Sequence, residues 1–176
     1  MSQQSGRYQR SAGGMVGALV VLLGVIAAFV AFRAVNRDNP QDPVDPVDYR
    51  PTVEFARGRA SFPLLAPAAL PDGWVATSAG FTPPPREHWH LGLLTAQERY
   101  VGLEQDPDAS VRSMLEEFVD PQPRRAGDAT IAGVRWQVWR DDGGDTALVR
   151  HGRQVTTLVV GTAPRAVLVD FAGSLR

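Results

Sequence analysis

Three histidines, His88, His90 and His151, are the side chains of this sequence best fitted to bind a metal or to move protons near neutral pH. His88 and His90 stand two apart, so on a β-strand both rings share one face at a spacing that suits metal ligation. His151 joins them only if its strand lies nearby. Pro83, Pro84 and Pro85 upstream, with Trp89 between the two rings, read instead as a strand entered from a loop. The expectation is a solvated histidine face, with no metal site and no cofactor.

Carboxylates and hydroxyls add little that is local. A helix turns the neighbours Glu116 and Glu117 about 100° apart, and Asp141 and Asp142 sit beside Gly143 and Gly144 in a loop, so neither pair makes an acid–base couple. There is no G-x-S-x-G elbow, no glycine-rich phosphate loop and no H-E-x-x-H. A serine hydrolase would need a histidine and a carboxylate brought from distant positions to Ser61, Ser78, Ser110, Ser113 or Ser174. No catalytic residue is assigned on this basis, and the chain is expected not to be an enzyme.

The composition narrows the classes further. With no cysteine among 176 residues, disulfides, thiolate nucleophiles and cysteine-type zinc sites are excluded, and the folded part rests on its apolar core. Eighteen arginines without a lysine are balanced to a net charge of -1, which argues against a nucleic-acid surface built on phosphate neutralisation.

The elements that must position any site begin with a greasy segment. Residues 11–32 carry no charge, and a helix of that length spans about 33 Å against about 30 Å of hydrocarbon. A cleaved signal peptide would have a shorter apolar region ending in small residues, whereas this run ends in Phe32 and Arg33. We expect a transmembrane helix over 11–32 in contact with the lipid bilayer and a cytoplasmic tail over 1–10. Arg7 and Arg10 are matched by Arg33 and Arg37, so the orientation rests on the amino terminus and on Asp38, Asp42, Asp45 and Asp48 beyond the helix.

Prolines at 40, 43, 46 and 51 make residues 33–51 an extended Pro/Asp-rich linker. Residues 52–176 then form an extracytoplasmic α+β domain. The sequence predicts helical turns over 53–60, a turn at Asp72 and Gly73 into a strand from Trp74, and strands over 88–95 and 99–105. Asp108 is placed as the N-cap of a helix whose Val111, Met114, Leu115, Phe118 and Val119 form one apolar stripe. Strands around Val134, over 146–151 and over 154–162 follow as hairpins, and a closing helix carries Val167, Leu168, Phe171, Ala172 and Leu175. The sum is an antiparallel sheet of about six or seven strands with helices packed on one face.

LPDGW at 70–74, GVRWQVWRDDGGDTALVR at 133–150, VTTLVVGTA at 155–163 and the closing AGSLR together resemble an actinobacterial family of single-pass membrane proteins described as a domain of unknown function. The likeness runs over nearly the whole chain, anchor and linker included. It implies a membrane-tethered, cell-envelope module at the cell membrane without an assigned reaction.

One residue stands out as a candidate partner contact. Trp139 alternates away from Val134, Trp136 and Val138, so with helices on one face only it points outward, where a tryptophan can anchor an envelope protein or an apolar ligand. A second core layer over it is the other reading. The expected function is a membrane-anchored extracytoplasmic binding or protein-interaction module, and the alternative is a small envelope hydrolase or metal-dependent enzyme based on His88 and His90.

Overall fold

Seven short segments assemble one antiparallel sheet in the computed structural model, which describes residues 45–176 and the isolated positions Leu22, Leu23 and Ile26. The expected tail, transmembrane helix and first part of the linker otherwise lie outside the described residues. Among the described residues no helix is long and apolar enough to cross a membrane.

Residues 45–176 form one compact unit. Its elements are α1 (Arg50–Arg57), β1 (Val75–Thr82), β2 (His88–Leu94), β3 (Tyr100–Asp106), α2 (Val111–Phe118), β4 (Arg124–Ile131), β5 (Val134–Arg140), β6 (Thr146–His151), β7 (Thr156–Gly161) and α3 (Arg165–Ser174). The strand order is β1-β2-β3-β7-β6-β5-β4. Two meanders, β1 to β3 and β4 to β7, thus meet where β3 pairs antiparallel with β7. The β-branched run of β7 is buried along its whole length, as a central strand requires.

The side-chain period of two divides the core into two layers. Trp89, Leu91, Leu93, Leu103, Trp136, Val138, Leu148 and Val159 line the first face, covered by Val53 and Ala56 of α1, by Phe62 and Leu64, and by Leu168 and Phe171 of α3. On the second face Ala147, Val149, Leu158 and Val160 pack against Met114 and Leu115 of α2. The expectation that all helices share one face is therefore corrected: α2 lies opposite α1 and α3. Its apolar stripe dictates burial, and the length of chain between central β3 and edge strand β4 carries it across the far side.

Local details differ from the sequence reading for physical reasons. Ser110, not Asp108, caps α2, its hydroxyl accepting from Ser113 N at 3.0 Å. The turn before it is held by Asp106, which accepts from the backbone of Asp108 and Ala109. The compact unit begins earlier than the expected boundary at 52, because Tyr49 is buried and donates its hydroxyl to Pro67 O at 3.2 Å, while Val47 N bonds Ala76 O. β4 is a full strand although it lacks apolar alternation, since its side chains are mostly exposed on the sheet edge. It turns into β5 through Ala132 and Gly133, at φ 48° and 78°. Two successive positive φ values give the twist that a two-residue hairpin needs.

Candidate functional site

The open half of the second face, beside α2, holds the most concentrated polar chemistry. β2 places Trp89, Leu91 and Leu93 in the first-face core, which sends His88 and His90 to the second face as expected from their spacing. β3 brings Glu104 directly opposite His90 in the ladder. Glu104 is only 2% exposed, and a carboxylate removed from water requires partners. It has two: His90 Nδ1 lies 2.6 Å from its Oε1, and His88 Nε2 lies 3.0 Å from its Oε2.

The two contacts are unlike. The His90 contact is an aligned hydrogen bond, whereas His88 Nε2 and Glu104 Oε2 are close enough to attract as ions yet off the line of a hydrogen bond, and both atoms lack another partner among the described residues. The contact with Glu104 raises the His88 pKa above the usual histidine value, while burial opposes it; the charges of Glu104, Asp106 and Glu117 add to the rise. The His88 ring stacks on Phe118 of α2, at 5.6 Å between centroids, which packs the end of that helix against one side of the ring.

β1 supplies the third element. Ser78 Oγ lies 2.7 Å from His90 Nε2. An ionised carboxylate only accepts, so His90 Nδ1 donates to Glu104, and in the neutral ring Nε2 is left to accept the Ser78 hydroxyl proton. A bulge between Ala76 and Ser78 inserts Thr77 and bends the strand. As a result both Thr77 Oγ1 and Ser78 Oγ project over Gly92, where an added Cβ would sit 3.2 Å from the first and overlap the second. Tyr100 lies over the next glycine, Gly102, its hydroxyl 2.6 Å from where a Cβ would be. Burial, and secondarily the charge of Glu104, raise the Tyr100 pKa.

The third histidine does not join this group. β6 is separated from β2 by β3 and β7, about 14 Å at ordinary strand spacing, and His151 Nδ1 pairs with Thr156 Oγ1 at 2.8 Å instead. Among the described residues no group of three His, Asp or Glu side chains could hold a metal ion. Neither carboxylate pair joins the site as a couple: Glu117 acts on His88 only through its charge, Glu116 pairs with Arg112 at 2.6 Å, and Asp141 Oδ1 closes the loop by accepting from Gly144 N and Asp145 N.

At Trp139 the second core layer is the reading that the packing favours. Because α2 covers the second face, the tryptophan does not stand free on an open sheet. It packs half-buried against the α2 cluster and donates Nε1–H to Gln137 Oε1 at 3.1 Å. Its remaining exposed surface forms the floor of a cleft of about 410 Å³, walled by Val111 and Leu115 of α2 and by Pro121 and Pro123, with Arg112 and Glu116 at the rim. A larger, open basin of about 760 Å³ at the same end of β4 and β5 is lined by Arg99, Arg124, Arg125, Arg140 and Arg165. Arg124 there pairs with Asp142, and Arg125 with Asp128.

Ser78, Thr77 and Glu104 were not assigned from the sequence. An acidic residue within the apolar alternation of β3 was the available signal, but only the pairing of β1, β2 and β3 puts it against His90 and puts Ser78 on the other side.

Comparison with known proteins gives the chain a family but no reaction. No curated protein matches it. Among solved structures it is similar to a chain in the complex of Pseudomonas aeruginosa MucA/MucB, at 15% sequence identity and a TM-score of 0.38, over 64% of this chain and 34% of that one. The chain thus spans about a third of the length of that relative. The family described as "Protein of unknown function (DUF4245)" matches residues 7–175. That match takes in almost the entire sequence, and the chain belongs to this family.

Proposed function

We propose that the chain is a membrane-anchored extracytoplasmic module that binds an envelope protein. Residues 11–32 form the anchor, 1–10 the cytoplasmic tail, and the folded unit stands beyond a short Pro/Asp-rich spacer. The observation that carries the binding role is the Trp139 cleft. Its volume lies within the usual range for recognition pockets, its walls are apolar, and a tryptophan forms its floor. Arg112 and Glu116 at the rim offer charges of both signs to a polypeptide partner. The occupant we assign is an apolar side chain of a protein partner, inserted between α2 and residues 121–123. Binding, not turnover, is the role assigned to this cleft.

A photo-crosslinking amino acid at Gln122, in the full chain expressed in its membrane, tests the reading. A discrete cross-linked partner that disappears in Trp139→Phe, with the melting temperature within a few degrees of wild type, supports it. No cross-link at Gln122, or one that Trp139→Phe leaves unchanged, overturns it. An alkaline phosphatase fusion at Arg176 checks the topology, and an inactive fusion sinks the extracytoplasmic placement.

A further inference from the structure

We infer that Ser78 is a nucleophile activated by His90, with Glu104 as the positioning residue, and that this face of the domain cleaves small carboxylic esters. The inference is independent of the Trp139 cleft. It rests on one chain of contacts: Ser78 Oγ to His90 Nε2 at 2.7 Å, and His90 Nδ1 to Glu104 Oε1 at 2.6 Å. This is the connectivity by which a hydroxyl passes its proton to an imidazole whose tautomer and orientation a carboxylate fixes.

Three further features fit a reacting site better than a merely solvated strand. Glu104 is buried beneath the two imidazoles, so its charge acts in a medium that screens it poorly. The bulge at Thr77 turns two hydroxyls onto one side of an edge strand, where regular alternation would put only one, and strand bulges recur next to active sites because they re-aim side chains. Ser78, Gly92 and Gly102 stand in register on adjacent strands. The Ser78 and Tyr100 hydroxyls therefore lie over neighbouring glycines, whose strands run about 5 Å apart. Thr77 Oγ1 and the Tyr100 hydroxyl are the donors we assign to a developing oxyanion. They are side-chain donors on an open surface, which suits the more reactive carbonyl of an ester over that of an amide.

In the first step Ser78 Oγ bonds to the carbonyl carbon and its proton passes to His90 Nε2. The tetrahedral intermediate collapses with loss of the carbon–oxygen bond to the alcohol, which takes that proton. Water, deprotonated by His90, then cleaves the acyl-serine; the carboxylic acid leaves and the proton returns to Ser78. Glu104 holds the orientation of the His90 ring throughout.

The full chain in detergent is incubated with a fluorophosphonate and, separately, with p-nitrophenyl acetate, and the adduct is located by peptide mass spectrometry. The expected result is one adduct per chain on Ser78, absent in Ser78→Ala and at least about 100-fold slower in His90→Gln. Glu104→Gln slows labelling to a similar degree, and Glu104→Asp restores part of the rate, which a purely structural role would not do. Circular dichroism melts show which variants fold. Folded wild-type protein that gives no Ser78 adduct, or that labels as fast in folded His90→Gln, overturns the inference. Either result leaves the partner-binding reading standing, because that is read at Gln122.

Discussion

Ser78 and Gly92 face each other across the β1–β2 ladder, and the serine hydroxyl occupies the space that a side chain at position 92 would need. Gly92→Ala is therefore expected to push the hydroxyl away from His90 and to cost about 1 to 3 kcal/mol, the usual range for overpacking. Ser78→Ala in the same chain removes the obstacle. A double-mutant cycle by chemical denaturation should show the pair recovering much of that loss, and additive effects would mean that the hydroxyl is not the obstacle.

Ala132 adopts φ 48° at the β4–β5 turn, a conformation that an alanine side chain disfavours and asparagine or glycine tolerates. Ala132→Asn should stabilise the domain by about 0.5 to 1 kcal/mol and raise its melting temperature by a few degrees. An unchanged or lower melt would contradict the positive φ at this turn.

The raised pKa of His88 makes stability depend on pH in a defined direction. Folding favours the protonated ring, so the contribution is complete below the unfolded-state value of about 6.5 and fades as pH rises through the higher folded-state value. The melting temperature of wild type minus that of His88→Gln should be largest near pH 5.5 and shrink above neutrality. A difference that is flat with pH, or grows toward alkaline pH, would refute the ion pair with Glu104.

Tyr49 links the proline-rich entry to the core, buried at 6% exposure beside Val53 and Ala56. Tyr49→Ala in the full chain should lower unfolding free energy by about 3 kcal/mol, whereas Asp45→Ala, at an exposed position, should change it by less than about 0.5 kcal/mol. Equal, small effects would return residues 45–51 to the linker.

These cases show where the sequence was legible. Glycines, prolines and β-branched alternation marked β5, β6, β7 and the closing helix, because each signal is local. The strand face of His88 and His90 followed from their spacing alone. Which face α2 covers did not, since a stripe states that a helix is buried and not against what. β4 escaped notice because RRAGDATI is an edge strand whose burial alternation is nearly absent. The contacts among Ser78, His90 and Glu104 required two registers at once, set by turns at residues 83–87 and 95–99. Tyr49 was hidden by prolines that read as spacer.

The arginine-bearing border formed by β4 carries a last consequence. Arg124, Arg125 and the irregularity before Gly127 interrupt the row of unpaired backbone groups on which another polypeptide could zip. Copies colliding along that border meet long ion-paired side chains and a kinked backbone, so strand-by-strand growth of a larger sheet should not start from β4.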